Sequence, residues 1–165
     1  MPAVSNTTLL RYLIAIEQEQ LLPKVYGQIF VPRAVHEELT HARTPIKVRE
    51  FLAAPPAWYQ IRDALRGLGS PFPLVLDRGE QEAILLAEFL RADVLLIDDR
   101  VGRSVARDRN LFISGTIGVL EIGDALGFLS DFPKTIANLK TSGFFLSESL
   151  EQEIMYRHRL RQRSK

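Results

Sequence analysis

One amide and four carboxylates, Asn6, Glu38, Glu80, Asp98 and Asp99, stand where a chain of this pattern would bring them to a common rim. Carboxylates that converge without a matching excess of lysine repel one another, and a divalent cation with oxygen ligands is the usual relief. The chain has no cysteine, which removes disulfides, thiolate zinc sites and cysteine nucleophiles together. A metal would therefore sit on oxygen or imidazole, and Mg²⁺ or Mn²⁺ suits such a donor set. His36, His41 and His158 are too dispersed for a local metal motif, there is no Gly-rich phosphate loop, and Ser5 and Ser114 lack a nucleophile-elbow context.

Each acid also has a plainer reading. Asp77-Arg78-Gly79-Glu80 has the form of a helix N-terminus, and capping alone accounts for Asp77. Glu37 and Glu38 suit an exposed helix face. Asp98-Asp99 would serve equally as a turn that caps the next helix.

The elements that must position these residues follow from hydrophobic periodicity. Ala3-Val4-Ser5 reads as a short strand that stops at Asn6-Thr7-Thr8, and Leu9, Leu10, Leu13, Ile14 and Ile16 then take helical spacing. A second strand runs from Gly27 to Pro32, with a helix beginning near Pro32-Arg33 and carrying Val35 to Leu39. From Thr44 to Pro73 the chain is rich in Pro and Gly, with a short helix over Ile46 to Leu52 and an edge strand around Trp58 to Arg62. Trp58, Tyr59 and Ile61 would anchor that excursion to a core.

Asp77 to Glu80 opens a helix whose apolar side is Ala83, Ile84, Leu86, Ala87 and Leu90; Glu80 shares that side, whereas Glu82 is expected to turn away from it. The continuous run Val94-Leu95-Leu96-Ile97 reads as a buried parallel strand. A helix through Val101 to Arg109, a strand at Leu111 to Ile113 and a helix from Thr116 to Leu126 continue the alternation, and Pro133 to Thr141 and Ser147 to Arg161 add further helices. Alternation of this kind predicts an α/β fold with a mainly parallel sheet and helices on both faces. Ligands in such sheets bind outside the carboxyl ends of the strands, where Asn6, Asp98 and Asp99 fall and which Glu38 and Glu80 can reach. A receiver-like fold would also put acids there, but it needs an acidic pair after the first strand and a suitably placed lysine after the later ones.

The succession Val4 to Leu9, Val31 to Leu39, Leu76 to Ile84, Leu95 to Arg100 and Ser114 to Leu120 resembles a PIN domain, in order and spacing, over nearly the whole chain. More narrowly, it is similar to an uncharacterised branch related to the toxin ribonucleases of bacterial toxin-antitoxin pairs. The resemblance implies a three-layer α/β/α sandwich and a metal-dependent endoribonuclease acting on single-stranded RNA. It maps the PIN positions onto Asn6, Glu38, Glu80 and Asp99 as metal ligands for Mg²⁺ or Mn²⁺, with Asp98 as a neighbouring catalytic candidate. Thr116 matches a hydroxyl that often lies beside the acidic pocket, and would serve equally as an N-cap. The first position is usually aspartate in active members, so Asn6 removes a negative charge and should weaken cation binding. That departure opens a second reading, a catalytically weakened PIN module that binds RNA or a protein.

The whole chain is 165 residues, 46% hydrophobic and 25% charged, with a net charge of +1. This is the size and composition of one globular domain, here 1–165, with enough apolar surface for a core. No segment approaches a membrane span and the N-terminus lacks a signal-peptide pattern, so the expected location is cytoplasmic. Arg100, Arg103 and Arg107, on the helix after the acidic pair, are candidates for holding RNA backbone. The basic stretch RHRLRQRSK at 157–165 either touches phosphate or ends a helix whose dipole favours cations. Phe128, Leu129, Phe132, Phe144, Phe145 and Leu146 form either the core of a small helical end or the interface of a homodimer, a state common among such PIN proteins, as is a small antitoxin partner.

Overall fold

The structure, a computed structural model, describes residues 1–64 and 72–164. Five parallel strands, β1 (Ala3–Ser5), β2 (Ile29–Pro32), β3 (Tyr59–Arg62), β4 (Val94–Leu96) and β5 (Ile113–Ser114), form one sheet in the order β3-β2-β1-β4-β5. Ala3 pairs with Ile29 on one side and with Val94 on the other, so β1 is central and the chain reverses its direction of travel between β1 and β4. Side chains alternate across the sheet as the strand period demands. Ala3, Ile29, Val31, Tyr59 and Leu96 enter one core, and Val4, Leu95 and Ile97 enter the other.

The second core is covered by α5 (Arg78–Leu90) and α6 (Arg100–Asp108), through Ala83, Ile84, Leu86, Ala87 and Ala106. The first is covered by α1 (Thr7–Ala15), α2 (Leu21–Tyr26), α3 (Arg33–Thr40), α4 (Ile46–Ala53), α7 (Thr116–Ala125), α8 (Phe132–Thr141) and α9 (Glu148–Arg163). The result is the three-layer α/β/α sandwich, with Asp77 capping α5 through a reciprocal box with Glu80. No helix among the described residues is long and apolar enough to cross a membrane.

Three local features differ from the pattern reading. The short helix α2 fills the stretch between α1 and β2; at six residues, interrupted by Pro23, it is too short to leave a periodic signature. β5 lies one to two residues later than Leu111 to Ile113, because Phe112 is exposed and Ile113-Ser114 pair with Leu95-Leu96. The excursion from Thr44 to Pro73 contains α4 and the edge strand β3 as expected, with Tyr59 buried, while its portion at 65–71 lies outside the described residues.

The basic C-terminal stretch forms the end of α9 and is held against α7. Arg157 donates to both oxygens of Glu121 at 2.8 and 3.0 Å, and Arg161 donates to Asp124 at 2.6 Å. His158 pairs with the same Asp124 carboxylate and stacks on Phe132 at 5.0 Å. Of the apolar residues near this end, Phe132 and Leu146 are buried with Leu129 and Phe144 packed on them, whereas Phe128 and Phe145 remain exposed. Most of that group is therefore core.

Glu82 is the one carboxylate whose direction the periodicity misjudged: it is 7% exposed. It reaches across to α3, whose N-cap position is Pro32 and supplies no side-chain cap, and accepts the Ala34 backbone N–H at 3.1 Å. Its other oxygen takes the Arg78 guanidinium at 2.9 Å. A carboxylate facing a helix N-terminus gains from the orphan donors and the dipole there. Glu82→Ala should therefore lower stability by about 2–3 kcal/mol, since it strips a charged hydrogen bond and leaves a buried N–H unpaired. Glu82→Gln, which keeps an acceptor, should cost less; urea unfolding of the two variants checks this, and equal midpoints would contradict it.

Candidate functional site

Asn6 follows β1 and Asp98 follows β4, side by side at the point where the strand order reverses. The crevice at such a reversal is where open parallel sheets bind ligands. Asn6 is buried, its backbone N–H donates to Leu96 O at 3.0 Å, and its Oδ1 accepts the Leu9 N–H at 3.3 Å as the N-cap of α1. Asp99 is the N-cap of α6, with Oδ2 accepting the Gly102 N–H at 2.7 Å. The capping readings of the acidic turn and of Asp77 are thus correct descriptions of the local structure, and capping is what fixes these side chains at the rim.

Glu38, on α3, is half-buried and receives the Thr7 hydroxyl on Oε2 at 2.5 Å. It lies against the first turn of α5: a Cβ placed on Gly79 would stand 2.7 Å from Glu38 Oε1, so a larger residue there would make the Glu38 carboxylate shift. Burial raises the Glu38 carboxyl above its usual range, with hydrogen bonds from Thr7 and Gly79 opposing the shift and the Asp77 charge adding to it. Glu80 folds back so that Oε2 accepts the Asp77 N–H at 3.1 Å. Burial, reinforced by the charges of Asp77, Asp99 and Glu38, pushes Glu80 up to about 7, against the hydrogen bond from Asp77. Electrostatically, Glu38, Glu80 and Asp99 form one group.

Asp98 and Thr116 make a separate, tight pair. The Thr116 N–H donates to Asp98 Oδ1 at 2.8 Å and its hydroxyl to Oδ2 at 2.6 Å. The N-cap of α7 is Gly115, so Thr116 is not a cap; it is buried and ties the end of β4 to the start of α7. Burial raises the Asp98 carboxyl, and the Thr116 bonds and the Arg103 charge oppose that rise. A Cβ on Gly115 would come within 2.6 Å of Asp98 Oδ1.

Among the three arginines of α6, Arg103 donates to Ile97 O at 3.0 Å and so braces the end of β4. Arg100 is exposed at the N-terminus of the helix, beside Asp99, and Arg107 is exposed in its last turn, roughly 10 Å further along the axis. Arg100 adjoins Asp99 in the chain, and the Arg103 charge acts on Asp98. Thr7, Gly79 and Gly115 were not singled out by residue type; their signal in the sequence is adjacency to Asn6, Glu80 and Thr116.

The donors fit a hard divalent cation in kind: all are oxygen, three are carboxylates, and the charges of Asp99 and Glu38 add to the burial that raises Glu80. In their present positions, no three His, Asp or Glu side chains among the described residues stand close enough to hold a metal ion. A PIN-domain family model matches residues 2–159. The chain belongs to the PIN domain family. No curated protein matches it. PIN domains are in general nucleases and typically use divalent metal ions.

The raised Glu80 gives a stability signature. A carboxyl whose folded pKa lies above its unfolded value favours the fold most below the unfolded value, near 4.3, and that contribution is lost as pH rises through about 7. In chelator-containing buffer, stability should fall across pH 5 to 7.5 in the parent PIN domain, and Glu80→Gln should flatten that decline. Thermal midpoints across this window test it; parallel profiles for parent and variant would show that Glu80 titrates normally.

Proposed function

We propose that this PIN domain is a divalent-metal-dependent endoribonuclease acting on single-stranded RNA. The observation that carries the reading is the cluster of Glu38, Glu80 and Asp99 at the strand-order reversal, with Glu80 raised to about 7 by burial and by its acidic neighbours. Glu38, Glu80 and Asp99 would hold Mg²⁺ or Mn²⁺, with the Asn6 carbonyl oxygen at the edge of the set. The bound cation supplies Lewis-acid polarisation of a phosphodiester and lowers the pKa of its water.

The chain's own residues have distinct parts in this scheme. Asp99 is held by Gly102 through Oδ2, and its second oxygen, Oδ1, would be the one offered to a cation. Thr7 restrains Glu38, and the capping box restrains Glu80. A group that titrates near neutrality is well matched to accepting a proton from an attacking water, which makes Glu80 the candidate base. Asp98, saturated by Thr116, positions the β4 end and the N-terminus of α7 and does not face the reaction.

A second reading, a binding module without catalysis, draws on Asn6. Its Oδ1 already caps α1, and as an amide it brings no charge to the cation. The two readings separate cleanly because Asp and Asn are both good N-caps. Asp99→Asn and Asn6→Asp should each keep the fold while changing one unit of charge at the rim. With Mn²⁺ or Mg²⁺ and a labelled single-stranded RNA pool, Asp99→Asn should slow cleavage roughly a hundredfold or more, above what loss of an outer partner costs. Asn6→Asp should raise the apparent metal affinity. An inactive parent restored by Asn6→Asp would establish the binding module instead, and metal-independent cleavage would refute the assignment of these ligands.

A further inference from the structure

Beside the acidic rim, on the side of α1, α3 and α4, lies a cleft of about 540 Å³ whose walls include Thr7, Arg11, Glu38, His41, Arg43 and Arg78. Thr7 and Glu38 belong to the rim as well, so the cleft and the acidic group share a wall. Arg78 is held in place by Glu82 at 2.9 Å and Glu37 at 3.5 Å. Arg11 and Arg43 differ: both are exposed, and among the described residues neither makes an ion pair. The Arg11 guanidinium lies over its neighbour Tyr12 at 5.1 Å from the ring centroid, which restrains it without neutralising it. His41 Nδ1 accepts the Arg43 backbone N–H at 3.1 Å, so in the neutral ring the proton sits on Nε2, a donor left for another partner.

Unpaired guanidiniums and an imidazole donor at the wall of a carboxylate site are matched to phosphodiester oxygens, which the carboxylates alone would repel. We propose that this cleft is the backbone-binding subsite for the RNA strand on one side of the scissile phosphate, with Arg11 and Arg43 as its phosphate contacts. The assignment rests on the nuclease reading above, and it moves the strand's main electrostatic contact from α6 to the cleft between α1 and the α3–α4 connection. Two of the α6 arginines are less suited: Arg103 is committed to Ile97, and Arg107 lies about two turns from the rim. The cleft's volume falls within the range of small-ligand pockets, which suits one nucleotide with its flanking phosphates.

The test is equilibrium binding of a short fluorescein-labelled single-stranded RNA to the full chain in EDTA, where cleavage does not interfere, repeated over a KCl series. For a single strand, each phosphate contact contributes about 0.7 to the slope of log K against log salt. The double variant Arg11→Ala/Arg43→Ala should bind more weakly, with a slope shallower by about 1.4 for its two lost contacts. Arg11→Lys/Arg43→Lys should keep most of the slope, because lysine retains the charge, and Arg107→Ala, far along α6 from the rim, should leave it within about half a contact of the parent. Both cleft positions are exposed, and thermal midpoints matching the parent confirm intact folding. If the alanine pair in the cleft binds with the parent's affinity and slope while the parent still cleaves RNA, the subsite is overturned and the nuclease reading stands. If the parent itself fails to bind RNA at any salt, both fall.

Discussion

The register between β1 and β4, with Ala3 opposite Val94 and Ser5 opposite Leu96, is the constraint from which the site follows. The chain builds outward from β1 to β2 and β3, then returns to the other side of β1, so the loops after β1 and β4 diverge to opposite faces. The crevice between them exists because of connectivity, before any side chain is chosen. The pairing also delivers Asn6 and Asp98 to its two lips, and the Asn6 N–H to Leu96 O bond extends the ladder to the edge of the crevice.

Helix N-termini then gather around that crevice. α1 begins at Asn6, α6 at Asp99, α7 beside Asp98 and α5 at the Asp77–Glu80 box. Their unpaired N–H groups supply partial positive charge where acids converge, a role lysine would otherwise take. Capping and the proposed ligation would thus be successive uses of one geometry. The cap engages one carboxylate oxygen of Asp99 and makes no use of the other, so capping alone does not rule out a proposed second role for this side chain.

The sheet, its parallel sense and most helices were legible because buried strands and amphipathic helices leave periods in the sequence, as Val94 to Ile97 and Leu9 to Ile14 do. The same logic failed at Glu82. Helical phase gives the direction of a side chain relative to its own helix, but it cannot reveal that α3 arrives beside it with an uncapped, Pro32-led N-terminus in need of an acceptor. Thr116 was identified as a position near the acids, yet its tie to Asp98 depends on β4 and β5 being neighbours across eighteen residues of chain. Arg11, His41 and Arg43 carry no local signal at all: two come from a loop and one from a helix face, and only the packing of α1 against α3 and α4 unites them.

The acids at the rim are not equally compensated. Asp98 has both oxygens bonded to Thr116 and the Arg103 charge nearby. Glu38 has the Thr7 hydroxyl, the Gly79 N–H and the charge of Arg78. Glu80 has a single backbone N–H, donated by an acidic residue, and faces Asp77, Asp99 and Glu38 without a cationic neighbour among the causes that set its pKa. Any positive charge added to the rim is therefore stabilised most beside Glu80. A cation shared with Asp99 and Glu38 would relieve all three at once, whereas a proton relieves only Glu80. On the proposed metal reading the two would compete at neutral pH for the same oxygens, so cation affinity at this rim would be tied to the protonation of Glu80 by the same burial that positions it.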